Sequence, residues 1–146
     1  MPGLRFHETM TGTFYRLDAP TDERPMHFTI DVVIASLPEF LRDNVARIEG
    51  DVTIEIFADR GPLAGTLAFR LNERSLQYEF GFKANDGQTY RFRGQKNVNL
   101  LAVVESLTTL PASVYATDGR EMGRATVRFD VKSDLRKFLR SFRLTA

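Results

Sequence analysis

The sequence predicts a mainly β domain: an antiparallel up-and-down meander of about eight strands, forming a calycin- or lipocalin-like barrel or a two-sheet sandwich. Three observations predict it. Apolar and polar residues alternate with a period of two through most of the chain. The alternating runs are separated by short stretches of Asn, Asp, Gly, Pro and Ser, the residues of tight turns between neighbouring antiparallel strands. A meander of that many strands removes its unpaired edges by closing, and a barrel of about eight strands either fills with side chains or holds one small ligand.

The first strand is read over residues 4–16, where Leu4, Phe6, Met10 and Phe14 alternate against Arg5, His7, Thr9, Thr11 and Thr13. Residues 20–25 carry two prolines around a charged cluster and form a loop. A second strand follows, with Met26, Phe28, Ile30, Val32 and Ile34 on one face and His27, Thr29 and Asp31 on the other. Ser36-Leu37-Pro38-Glu39 then opens a short helix near 37–45, since Ser36 can accept from a first-turn amide and Glu39 can complete a capping box. That helix is expected to turn Leu37, Phe40 and Leu41 inward.

Ile48, Gly50, Val52, Ile54 and Ile56 form the apolar face of the next strand. Asp59-Arg60-Gly61-Pro62 has the composition of a turn, and Leu63, Gly65, Leu67, Phe69 and Leu71 follow with period two. Asn72-Glu73-Arg74-Ser75 leads into Leu76, Tyr78, Phe80 and Phe82, and Asn85-Asp86-Gly87 leads into Tyr90 and Phe92. Between 97 and 107, Leu100, Leu101, Val104 and Leu107 recur at helical spacing, but the valines are β-branched, so helix and loop both remain open. A last hairpin is expected over 110–118 and 121–132 around Asp118-Gly119. Ser133 can cap a terminal helix near 133–143, with Leu135, Phe138, Leu139 and Phe142 on one side and Arg136, Lys137, Arg140 and Arg143 on the other. The whole chain, 1–146, reads as one domain.

Composition removes several function classes. Lys plus Arg number 20 against 19 Asp plus Glu, so no global field draws the chain to nucleic acid or to an anionic membrane. Cysteine is absent, which excludes disulfides, thiolate metal sites and cysteine nucleophiles. The start MPGLRFHETM lacks the basic and apolar regions of a secretory leader, and no apolar run is long enough for a transmembrane segment, so a cytoplasmic protein is expected. No Ser stands in a G-x-S-x-G context and no Gly-rich loop precedes a helix. His7 and His27 both have outward parity and no spacing with acidic residues that makes a ligand set, so neither a metal nor a cofactor is expected. Lys83, Arg91 and Arg93 also face outward. Their neighbouring aromatics face the core, which leaves a solvated strand face and not a platform for stacked bases.

The apolar parity of the first strand runs Leu4, Phe6, Glu8, Met10, and that of the sixth runs Tyr90, Phe92, Gly94, Lys96. A carboxylate and an ammonium are therefore predicted inside, Lys96 near a strand end. Burying either alone costs several kcal/mol, so they pair, sit at a wet mouth, or one neutralises. Two readings follow. Glu8 and Lys96 are the polar anchor of an apolar pocket walled by Tyr78, Phe80, Phe82, Tyr90 and Phe92, or they are a structural ion pair. A third use, Glu8 as an acid or base in a small enzyme, needs an open cavity beside it.

Phe6-His7-Glu8-Thr9-Met10-Thr11-Gly12, the 28–34 strand with Leu37-Pro38-Glu39-Phe40-Leu41, Ile48-Glu49-Gly50, Phe92-Arg93-Gly94-Gln95-Lys96 and Thr108-Thr109-Leu110 together resemble a β-rich accessory module. That module accompanies the flavin domain in some bacterial cholesterol-oxidase-like proteins of the glucose-methanol-choline oxidoreductase group. The order and spacing match over most of the chain, although residues 97–107 lack the acidic, tryptophan-containing stretch of the pattern. The resemblance implies a sterol- or lipid-related context and an assisting role beside an oxidoreductase, and it transfers no catalytic residue. The function expected is thus a noncatalytic domain that binds a small hydrophobic molecule or docks beside an oxidoreductase, with an interaction module or homo-oligomer as the third class.

Overall fold

Alternation becomes a barrel because one strand is long enough to be paired on both edges. The computed structural model describes residues 3–97, 109–129 and 143–145. In it β1 (Gly3–Arg16) pairs antiparallel with β2 (Arg24–Ile34) on one edge, residues 4–14 lying opposite 24–34. From β2 the sheet continues through β3 (Val45–Ile54), β4 (Ala58–Arg70), β5 (Ser75–Lys83), β6 (Thr89–Asn97), β7 (Thr109–Tyr115) and β8 (Glu121–Arg128), each antiparallel to the last. β8 then pairs with residues 11–16 of β1, and the sheet of eight strands is closed. The barrel, not the sandwich, is the outcome.

At the other end of β1's second edge, residues 3–5 pair with β9 (Arg143–Thr145). Arg143, expected in the terminal helix, is therefore a strand residue: three backbone pairings with β1 outweigh helical spacing at that point. The remainder of that predicted helix lies outside the described residues, as does the 97–107 stretch read as helix or loop apart from Asn97, which ends β6.

Closure demands a tight seam. Gly12 is paired on both sides, with Met26 of β2 and Val127 of β8. A Cβ added there would lie 1.9 Å from the Thr126 carbonyl oxygen, so only glycine lets the two ladders approach across β1.

The inward face of every strand carries the alternating apolar set, and Met10, Phe28, Ile30, Val32, Ile48, Val52, Phe92, Leu110 and Val127 are fully buried. One end of the barrel holds the tight turns after β1, β3, β5 and β7; the other holds α1 (Leu37–Asp43) and a 3-10 turn (Leu71–Glu73). A column of rings fills the turn end. Phe57 stacks on Phe14 at 5.7 Å and meets Tyr90 edge-on at 4.7 Å. The column continues through Phe82 to Phe80, whose ring stacks on Phe92 at 4.5 Å, and through Phe28 to Tyr78.

Three local expectations are corrected. The β3–β4 turn is at 55–57 and not at Asp59-Arg60-Gly61-Pro62, which lies within β4 with Gly61 opposite Val52 and Pro62 opposite Asp51. The cause is tertiary: Phe57 is drawn into the ring column, and Asn85 of the next hairpin holds the turn, its amide donating to the Ile56 carbonyl at 3.3 Å. Ile56, expected inside, is consequently 76% exposed with φ 71°, a left-handed conformation that crowds a β-branched side chain. In α1, Ser36 caps as expected, accepting from the Glu39 amide. Phe40 meets Phe69 edge-on at 5.3 Å and sets the helix rotation, so Leu41, one residue further round, is exposed.

Replacing Ile56 with Asn should raise stability by about 1 kcal/mol, because strain is relieved and little burial is lost; the urea midpoint measures it. Gly12→Val should do the opposite, lowering stability by about 3 kcal/mol or preventing closure.

Candidate functional site

The alternation of β1 carries Glu8 inward between Phe6 and Met10, and that of β6 carries Lys96 inward beyond Phe92 and Gly94. Both are buried, at 7% and 4% exposure. β5 brings Tyr78 to the same level, since it is the partner of Gly94 in the β5–β6 ladder. The Tyr78 hydroxyl donates to both Glu8 oxygens, at 2.9 Å to Oε1 and 3.2 Å to Oε2. Lys96 Nζ stands 3.6 Å from Glu8 Oε1 and 5.1 Å above the centre of the Tyr78 ring. The three side chains cap the ring column on its helix-end side.

The electrostatics follow from that burial. The Tyr78 hydroxyl is pushed well above its usual range, first by burial and then by the charge and hydrogen bond of Glu8, either of which disfavours a second anion. Burial draws the Lys96 ammonium below its usual value, opposed by the charge and hydrogen bond of Glu8. The net charge of the cluster is zero when Glu8 is ionised and Lys96 protonated. Such a neutral cluster can remain dehydrated where either charge alone could not.

Of the other residues expected at the site, Phe80, Phe82 and Phe92 are within the ring column, where Phe80 contacts the other two. Tyr90 lies at the turn end, where its hydroxyl donates to Asp86 Oδ2 at 2.7 Å. The structure thus brings together Glu8, Lys96 and Tyr78 and leaves the other four as packing beneath them. What the sequence reading missed is Tyr78's polar role. The signal was present, because a tyrosine among phenylalanines at inward parity must find a partner for its hydroxyl.

Outside the barrel, His7 bonds Asp31 Oδ1 through Nδ1 at 2.9 Å, and Arg5 bonds Asp31 Oδ2 at 2.6 Å. His27 is exposed on β2. Among the described residues no group of three or more His, Asp or Glu side chains is placed to hold a metal, and no helix is long and apolar enough to cross a membrane. Arg91 and Arg93 both reach Glu79 on the neighbouring strand. A groove of about 700 Å³ runs over the outer face of β5 to β8.

Lys96→Met should destabilise the fold by about 3–5 kcal/mol at neutral pH, since it strands the Glu8 charge, and adding Glu8→Gln should recover most of the loss. The raised Tyr78 hydroxyl has a pH signature. Above about pH 10 the unfolded chain releases that proton while the folded chain keeps it, so its contribution is complete below that pH and is lost as pH rises. Lys96 acts with the opposite sign: its lowered value is a penalty at neutral pH that is relieved as pH approaches about 10.5. Tyr78→Phe should therefore cost about 1.5–3 kcal/mol at neutral pH and shrink the falling alkaline limb to the part left by Tyr90, which its hydrogen bond to Asp86 also raises, both read from urea midpoints across the alkaline range. No family model matches the chain, and no curated protein or solved structure matches it.

Proposed function

We propose that the protein is a noncatalytic binding barrel for a small, largely hydrophobic molecule with a neutral hydroxyl group, held at Glu8, Tyr78 and Lys96. The observation that carries this reading is the charge-balanced polar cluster buried at the head of an apolar column. Glu8 Oε2 accepts from Tyr78 at 3.2 Å, and a carboxylate oxygen has a second lone pair that can accept from a ligand hydroxyl. A ligand carboxylate would instead bring a second negative charge beside Glu8 in a low-dielectric interior.

The ring column occupies the turn end, so a ligand's apolar body would have to part the buried core residues Phe6, Val32, Ile34 and Ala46 on the helix-end side. Resemblance to modules that accompany cholesterol-oxidase-like proteins supports a sterol or similar lipid alcohol, and an assisting role beside an oxidoreductase. An acid or base role for Glu8 has less support, because Lys96 pairs with its carboxylate at 3.6 Å.

Native mass spectrometry of freshly purified protein should show a co-purified neutral lipid. Titration with dehydroergosterol should saturate, oleate should compete weakly, and Glu8→Gln combined with Lys96→Met should weaken sterol binding about ten- to a hundredfold. No saturable sterol binding, or binding indifferent to the double variant, would remove the reading.

A further inference from the structure

We propose that the outer face of the barrel carries a second site, in which Arg93, Ser113 and Arg124 hold the phosphate of a sugar phosphate. It lies outside the wall that buries Glu8, Tyr78 and Lys96 and does not depend on the binding reading above.

Register builds the site. β6, β7 and β8 lie side by side, with Arg93 opposite Ser113 and Ser113 opposite Arg124. The three residues have the parity opposite to the buried Phe92, Val114 and Ala125, so their side chains stand on the outside. Two guanidinium groups therefore flank one hydroxyl, from strands about 10 Å apart across β7. The short Ser113 side chain leaves a dip between the two long ones, and all three line the outer groove of about 700 Å³.

Carboxylates orient both arginines through Nε. Glu79 Oε2 is 3.6 Å from Arg93 Nε, and Glu121 Oε1 accepts from Arg124 Nε at 2.8 Å. A guanidinium has further N–H bonds on its two Nη atoms, and both side chains are more than half exposed, at 60% and 57%. Among the described residues the Ser113 hydroxyl has no hydrogen-bond partner, so it can donate to the same anion. A carboxylate occupies one guanidinium edge, whereas a phosphate monoester presents three oxygens and can engage two guanidiniums and a hydroxyl together. The charged lining of the groove, two arginines against Glu79, is net positive and complements that anion. Two residues nearer the helix end, about 7 Å along the strands, Gln77 and Gln95 face each other on the same groove, with their side-chain amides 3.5 Å apart. Amides both donate and accept, which suits the hydroxyls of a sugar attached to the phosphate.

Titration of the full chain with glucose 6-phosphate, followed through the arginine Nε–H resonances in nitrogen-15 NMR, tests the site. At low ionic strength the Arg93 and Arg124 resonances should shift saturably, and that of Arg47, exposed on β3, should stay in place. Arg93→Gln and Arg124→Gln, which assign the two resonances and alter only exposed side chains, should each weaken binding by about tenfold or more, and Ser113→Ala by about threefold. Inorganic phosphate should bind about tenfold more weakly than glucose 6-phosphate, and glucose should not bind. No saturable shift at millimolar glucose 6-phosphate, a shift shared equally by Arg47, or undiminished binding to a folded Arg93→Gln protein would overturn the site. Equal affinity for inorganic phosphate and glucose 6-phosphate would mean an adventitious ion only and would overturn the sugar phosphate ligand.

Discussion

A carboxylate and an ammonium 3.6 Å apart inside a protein are stable only as a pair, and the interior of this barrel is arranged around that requirement. Each charge loses its hydration on folding. Glu8 regains part of it from the Tyr78 hydroxyl and from Lys96, and Lys96 gains the face of the Tyr78 ring as well. None of the three can be reached from one strand: β1, β5 and β6 each supply one, and β1 lies opposite the other two only because the sheet has closed. Closure in turn depends on β1 being paired along both edges and on a glycine at the seam where both ladders converge. The polar cluster and the topology therefore stand or fall together.

Most of this architecture was legible because a closed barrel imposes one rule on every strand. Parity alone separates inside from outside, so Glu8 and Lys96 could be placed within the interior from their neighbours, and His7, His27, Arg91 and Arg93 outside it. Parity is blind to the direction of a hydroxyl and to which strands end up facing each other. Hence Tyr78 read as wall when it is the donor that organises the carboxylate. The misplaced turn has a similar origin. Asp59-Arg60-Gly61-Pro62 has turn composition, yet the ring of Phe57 and the amide of Asn85, distant in sequence, decide where the chain reverses. Leu41 and Arg143 were misread where a single long-range partner, the Phe69 ring or the edge of β1, overrode a local periodicity.

The division of the interior gives the binding reading its shape. Rings in mutual contact fill the turn end, while the polar cluster faces the helix end. The ring column and the closure seam hold the fold, and in the proposed binding reading the polar cluster is the anchor. Under the proposed binding reading, a neutral anchor would select against charged lipids by the same physics that keeps the pair dehydrated.

The most direct test is carbon-13 NMR of protein labelled at the lysine ε-carbon, with the Lys96 resonance assigned from Lys96→Met. Added dehydroergosterol should shift the Lys96 resonance saturably and leave that of Lys83, on the outer face of β5, unmoved. A Lys96 resonance that stays fixed at sterol saturation, or a shift confined to Lys83, would contradict the account and leave Glu8, Tyr78 and Lys96 as a structural cluster alone.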